Sequence, residues 1–543
     1  MIKNIILNNK LILLTVITGA FLRLDGIHNQ GLNWYDSAYY ANVAKVPILS
    51  FKWLFDENNS KKDLPSLETY LINRGCNTNI IKPGHVAFIT LSFLIFGIKD
   101  YAVLLVSAIC GIGVIVMTYR IGREIFAKSV GLIAAAIIAV SGQQIIFSRT
   151  GFPQTDTVFL FCLALFLFWK SICAKDGNKL FISSAVITGL TLLFHQSVYI
   201  LIFLLFIAMM VNVNEGVNRS FSSRIKKCLY FFAIMLIPFI FSHIFITVFN
   251  SINPSGGEDL LMRNLERLQS GAFERWGISI EKLSFYPSMF WMLEGPLVTM
   301  LIPLSIIFML WKAYNTHSIN YVLIGLLASI PLVFWTLNYT TLKAIQVAMP
   351  FVAISIGVFI VALSKRISIY YNKKKIGFYI QNITILFILI IGTNNSFTSI
   401  NLKTNYNSVF IELEKYMKAN DGQLNAIQNN IWPITYFYAG NIVDNNPSQF
   451  SNNIIFDKPD AHSDYRIIDW QQFQYGKNDI NSLMDVDNKY SPVIQKIYWD
   501  EAIPILNYHR HYDVKSVQNL FKKYPQTHFI SVYDLRNKRI IDK

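Results

Sequence analysis

The sequence is short of charge. Asp, Glu, Lys and Arg make up 15% of its 543 residues, and 53% of residues are hydrophobic, whereas an ordinary soluble domain carries about 25% charged residues. That balance excludes a disordered chain and an ordinary water-soluble globule. Negative charge is the scarcer sign, with 33 Asp and Glu against 48 Lys and Arg. Residues 400–543 hold 16 of each sign, so the whole excess of +15 belongs to residues 1–399. There the basic residues cluster between apolar runs rather than on one soluble face, which argues against a nucleic-acid partner. Cysteine is sparse too. Cys76, Cys110, Cys162, Cys173 and Cys228 show no metal-ligand spacing, and four of them lie in or beside apolar runs, as core-filling residues do. The tail has no cysteine, so it does not depend on disulfides.

What the sequence has is long apolar runs, near 5–23, 101–119, 129–147, 157–172, 180–194, 197–211, 229–249, 296–311, 319–337, 344–363 and 376–394. In hydrocarbon only a helix or a closed barrel satisfies its own backbone, and runs of this length predict helices, so the fold class is a polytopic α-helical membrane protein of about eleven spans. A further run at 86–97 has twelve residues, enough for about 18 Å of helix against a core of about 30 Å, and is expected to lie in the interface. The first run lacks a small-residue cleavage site before Asp25 and reads as a retained span.

Charge parity orients the chain. With eleven crossings and a cytoplasmic start, the short inside segments hold 18 Lys and Arg and 3 Asp and Glu, which accounts for the full excess and follows the positive-inside rule. The outside then receives a first loop at 25–100, a short loop at 148–156, a middle loop at 250–294 and the tail at 400–543. The domain reading is a transmembrane unit at 1–399 and a soluble extracytoplasmic unit at 400–543. The tail alternates short apolar stretches with polar turns, as a small α/β or α+β domain does.

Candidate residues gather on that face. Asp36, in NWYDSAYY, sits just past the first span in an aromatic setting, where a carboxylate shielded on one side can serve as a general base; a plain solvated loop aspartate is the alternative. Asp156, in SRTGFPQTD, lies at the lip of a span, either as a functional acid or as a helix N-cap. Arg149, seven residues earlier, suits an ion pair with Asp156 or an anion. Lys82, Arg275 and Lys343 are placed where a lipid phosphate would sit, as phosphate ligands or as snorkelling side chains. His195, at a turn between two spans, reads as a packing residue or a support for acceptor or metal.

Taken in order, the retained first span, WYDSAYY, a KPGH turn before a short apolar helix ending in FG, YRIGREIFAKSVGLIAAAIIAVS and SRTGFPQTD resemble the dolichyl-phosphate-mannose protein mannosyltransferase family. This is a group of GT-C fold, polyprenyl-phosphate-sugar-dependent enzymes that includes the aminoarabinose transferases. The likeness is strong over about 5–175, weaker through 180–395, where LKAIQVAMPFVAIS resembles a late basic-plus-proline segment, and absent from the tail. It implies an inverting transfer from a polyprenyl-phosphate sugar to an acceptor hydroxyl on a cell-envelope lipid, glycan or protein. In that implied scheme Asp36 is the catalytic carboxylate, Asp156 the second acidic residue, and Lys82 a donor-phosphate contact. Two positions depart from the family pattern: Ser37 stands where many members have Glu, and Gly84 where they often have a second proline. A divalent metal between Asp36 and Asp156 stays open on the same grounds. A lipid-linked-sugar transporter or flippase would call for mid-membrane charges and internal repeats, which the sequence lacks. An inactive accessory subunit of the same fold is the other alternative.

Overall fold

The computed structural model describes residues 2–32, 35–55, 66–77, 80–174, 176–210, 221–252, 276–338, 341–400, 405–420, 427–428, 432–445, 465–468, 490–497 and 529–536. Nineteen described α-helices run in chain order: α1 (Ile2–Leu24), α2 (Tyr35–Phe55), α3 (Leu67–Asn73), α4 (Pro83–Phe96), α5 (Asp100–Ile125), α6 (Lys128–Val140), α7 (Gly142–Ser148), α8 (Pro153–Cys173), α9 (Asn178–Leu192), α10 (Tyr199–Met210), α11 (Phe221–Ile252), α12 (Ile280–Leu293), α13 (Gly295–Thr316), α14 (Ile319–Leu337), α15 (Leu342–Ile345), α16 (Met349–Tyr370), α17 (Lys374–Ile400), α18 (Tyr406–Asn420) and α19 (Trp432–Asn445).

Every expected apolar run is helical. Among the described residues eight helices are long and apolar enough to cross a membrane, and the bent pair α6 and α7 makes a ninth. The chain is a multi-pass membrane protein. The other two expected spans, α9 and α10, have 15 and 12 residues, or about 22 and 18 Å of helix, short of a hydrocarbon core. The run at 86–97 forms the similarly short α4, packed between α2 and α5.

Helix α6 is the centre of the bundle. Val130 to Val140 are buried without exception, as expected of a helix apolar on all sides. Small residues bring its neighbours close: a Cβ added at Gly122 on α5 would stand 2.9 Å from the Gly131 Cα on α6. One apolar run was expected at 129–147, but the helix breaks at Ser141, whose extended backbone turns α7 by 61° from α6. A break at this depth frees backbone groups that lipid cannot satisfy. Protein groups take them up instead. Arg23 Nη2 donates to Ile138 O (2.9 Å), Arg23 Nη1 to Ala139 O (2.9 Å), and Ser396 Oγ to Val140 O (2.6 Å). On the other side, Ser141 Oγ caps α7 by accepting from Gln144 N, and Glu294 Oε1 accepts from Gln143 N (3.1 Å) and Ser141 Oγ (2.7 Å).

The tail is an α/β unit. Its described strands, β1 (Ile427–Gln428), β2 (Tyr465–Ile468), β3 (Pro492–Ile497) and β4 (Phe529–Asp534), form a sheet in the order β1-β2-β4-β3. β1 runs parallel to β2, and the other two pairings are antiparallel. α18 packs on β3 and β4 through Val409, Phe410, Leu413 and Met417. α19 docks onto α2. There Lys45, buried at 1% exposure, donates to Phe437 O (2.8 Å) and covers the Phe437 ring. Tyr438 Oη accepts from Leu32 N (2.8 Å) and donates to Asp100 Oδ2 (3.0 Å). The tail is thereby tied to the helices that carry the candidate site.

Candidate active site

Four segments converge at one end of the bundle: the first turn of α2, the start of α4, the loop from 149 into α8, and α15. Asp36 lies in the first turn of α2 with its side chain 40% exposed, and its Oδ2 is 2.5 Å from Lys343 Nζ. The two residues are 307 positions apart in sequence. The Lys343 ammonium also stands 4.5 Å from the centre of the Phe152 ring, an aromatic face that favours a cation. The sequence reading assigned Asp36 and Lys343 to base and phosphate, and the structure brings them together as an ion pair.

Lys343 is held from behind. Gln143 Nε2 on α7 donates to Leu342 O (3.2 Å), and Tyr286 Oη donates to Thr341 O (3.1 Å) and accepts from Thr341 N (3.2 Å). Gln144 Nε2 reaches Gln346 Oε1 just beyond α15. Glu294, whose carboxylate anchors the start of α7, is pushed up by burial to about 7 in spite of the hydrogen bonds from Ser141 and Gln143.

Asp156 has a different environment from the one expected. It is in the first turn of α8, fully buried, and its Oδ2 is 2.6 Å from His85 Nδ1. His85 has no exposure either, and its Nε2 is 3.0 Å from Gly151 O. A carbonyl only accepts, so Nε2 carries a proton, and a second proton lies between Nδ1 and the carboxylate. The Tyr40 ring packs edge-on against the imidazole at 5.2 Å. Arg149 is therefore not the partner of Asp156. Its Nη1 donates to the carbonyls of Asp25 (2.8 Å), Arg23 (3.2 Å) and Leu22 (3.4 Å), and fastens the loop to the end of α1, whose unpaired carbonyls attract a cation. Gln30 Nε2 completes this junction by donating to Arg149 O.

Lys82 is half-buried and adopts φ 58°, a left-handed conformation that is costly for a residue with a side chain and rarer still before proline. Such outliers concentrate at functional sites. The KPGH departure from a double proline has a local reason. Gly84 N donates to Leu193 O (3.1 Å), a bond proline cannot make, and a Cβ on Gly84 would come within 2.4 Å of the Phe194 ring. Ser37, in place of Glu, is fully buried and close to Gly151, where a charged side chain would need both room and a partner. His195 lies between α9 and α10 and bonds Ser197 Oγ (2.9 Å) and Gln154 Nε2 (3.2 Å), so it supports the start of α8. Arg275 lies outside the described residues.

A metal between the two carboxylates does not suit this arrangement. Asp36 faces an ammonium and Asp156 an imidazole, and among the described residues no three His, Cys, Asp or Glu side chains converge to hold an ion. Sequence reasoning missed His85. The residue stood in the KPGH motif, but its partner is 71 residues away, and nothing in local spacing pairs them.

This architecture is the GT-C fold of membrane glycosyltransferases. The chain superposes on the crystal structure of ArnT from Cupriavidus metallidurans bound to undecaprenyl phosphate with a TM-score of 0.57 and 9% identity, covering 96% of this chain and 98% of that one. It also superposes on the oligosaccharyltransferase AglB from Archaeoglobus fulgidus, solved with an inhibitory peptide and a dolichol-phosphate, at a TM-score of 0.55 and 12% identity, covering 86% and 70%. Residues 82–242 match the dolichyl-phosphate-mannose-protein mannosyltransferase family. The candidate mannosyltransferase YkcB of Bacillus subtilis (strain 168) is 29% identical over 96 residues, 18% of this chain, and the match spans 13% of the length of that relative.

Proposed function

We propose that the chain is an integral-membrane inverting glycosyltransferase that moves a sugar from a polyprenyl-phosphate donor to an acceptor hydroxyl of the cell envelope. The N-terminus is cytoplasmic in this reading, and the site and tail lie on the outer face. The observation that carries it is the Asp36 and Lys343 pair, partly open to solvent beside Phe152, in a chain folded like an enzyme solved with undecaprenyl phosphate.

The chemistry asks for little more. A lipid phosphate is a good leaving group once its charge is neutralised, so one base is enough, unlike glycoside hydrolysis with its two carboxyl groups. Lys343 and Lys82 hold the donor phosphate. As the phosphate engages Lys343, the ammonium leaves Asp36, and the freed carboxylate takes the proton of the acceptor hydroxyl. The acceptor oxygen forms its bond to the anomeric carbon from the face opposite the phosphate, the bond to the phosphate oxygen breaks, and its electron pair stays on the polyprenyl phosphate. Asp156 is sealed from solvent, so its role is to position His85 and the loop at 149–152 and not to touch substrate.

The test is a proteoliposome assay with a panel of radiolabelled polyprenyl-phosphate sugars. Asp36→Asn is expected to lower transfer by at least about a hundredfold and to keep donor binding. Full activity in this variant would remove Asp36 as the base, and no turnover of any donor by the wild type would remove the reading itself.

A further inference from the structure

The bundle contains a cavity of about 730 Å³ at the end of the helices opposite the candidate active site. It is framed by the C-terminal ends of α5, α13 and α16 and the first turns of α6 and α14. Lys343 and Lys365 are separated by 22 residues of largely helical chain, on the order of 30 Å, or one membrane thickness. The charge bias of the short loops places this end at the inner leaflet.

Val130, Phe308, Val358 and Ala362 give the walls apolar surface, Asn320 and Tyr321 add polar groups, and the rim is basic, with Lys312, Lys365 and Arg366. No carboxylate among the described residues lines the cavity. Among the described residues none of the three cations is ion-paired, whereas Glu124 at the same end is already bonded to Lys170 (2.6 Å). Lys312 Nζ instead stands 5.1 Å from the ring centre of Trp311, which is 46% exposed. A chamber with apolar side chains on its walls, below a rim of cations and an interfacial tryptophan, matches an amphiphile with an anionic head.

We infer that this cavity is a binding site for a lipid-borne phosphate, with the head group on Lys312, Lys365 and Arg366 and the hydrocarbon in the chamber. A phospholipid and an isoprenoid phosphate share that chemistry. The site is separate from the transfer reaction and does not rest on it.

Native mass spectrometry of the full-length protein in a neutral detergent tests this, with dioleoylphosphatidylglycerol, farnesyl phosphate and dioleoylphosphatidylcholine as probes. Two variants are compared with the wild type: the double change Lys365→Gln with Arg366→Gln, which removes charge, and Ala362→Trp, which fills the chamber. The expected result is one tightly held anionic lipid in the wild type, bound about tenfold or more weakly by either variant, with phosphatidylcholine unaffected. Loss confined to phosphatidylglycerol assigns a phospholipid, and loss of farnesyl phosphate assigns an isoprenoid monoester; both uphold the site. Equal retention of the anionic probes by wild type and variants overturns it, as does equal affinity for phosphatidylcholine. A variant is scored when its unfolding temperature matches that of the wild type, and the two act by different means, so either one alone decides.

Discussion

The His85 and Asp156 pair gives the sharpest energetic prediction. Both side chains have no exposure and are 2.6 Å apart, so removing one leaves the other buried and uncompensated. Such a loss costs about 3 to 5 kcal/mol, while replacing both partners with apolar side chains is often close to neutral. His85→Phe and Asp156→Leu are therefore each expected to destabilise by that amount, and the double variant to fall short of their sum by about 2 kcal/mol or more. For a cooperative unit of about 400 residues with an unfolding entropy of about 2 cal/mol/K per residue, each single change lowers Tm by on the order of 4 to 6 °C. Helices that persist in denatured membrane proteins make the entropy smaller and the shift larger. Thermal unfolding in detergent, followed by intrinsic fluorescence, measures all three variants. Strictly additive losses, or a His85→Phe variant within 1 °C of wild type, would refute the claim that the two groups depend on each other.

Other outcomes follow from the same geometry. Lys343→Gln is expected to raise the donor KM by roughly tenfold or more, since a cation leaves a phosphate site, and a donor titration with unchanged KM would count against the phosphate role. Glu294 stands at about 7 in the fold against 4.5 ordinarily, so its protonated form is the one the fold prefers. The native state holds the extra proton between those values, and stability is expected to fall by about 1 to 3 kcal/mol as pH rises from about 4.5 to about 7. Glu294→Gln should flatten that slope in a pH series of unfolding curves, and an unaltered slope would clear Glu294 of the effect. Tyr438→Phe leaves Leu32 N and Asp100 Oδ2 without the hydroxyl that joins them, at a cost of about 1 to 3 kcal/mol. Limited proteolysis should then release the tail faster than in the wild type.

Much of the fold was legible because apolar length is a local property. Each of the eleven runs is helical, the one at 129–147 as two helices split at Ser141, and the short run before Gly97 remained short. Asp36, Asp156, Lys82 and Lys343 could be singled out as candidates because charge at the edge of an apolar run is conspicuous. The partners were not legible. Lys343 meets Asp36 across 307 residues and His85 meets Asp156 across 71, and a single sequence holds no term for such distances. Of the two roles the sequence offered Arg149, an ion pair with Asp156 or an anion ligand, the pairing rested on proximity alone, but the chain reverses at Gly151, with φ 67°, and sends the two side chains to different neighbours. The break at Ser141 had a local signal in the polar tetrad Ser141, Gly142, Gln143 and Gln144, which interrupts the run at 129–147, and a second one in Arg23, a buried guanidinium that a straight helix would not require.

That break changes what α7 contributes to the site. A continuous span would direct its backbone groups only to itself and its side chains to neighbouring hydrocarbon. Turned aside at Ser141, the segment presents two glutamine amides to the carbonyl of Leu342 and the amide of Gln346. Helix α15, with only four residues, is too short to hold a lysine in place by its own hydrogen bonds. The aim of Lys343 at Asp36 is thus borrowed from a distant hinge, and substitutions at Arg23 or Ser396, neither of which bonds Lys343 or Asp36, should register as altered donor handling.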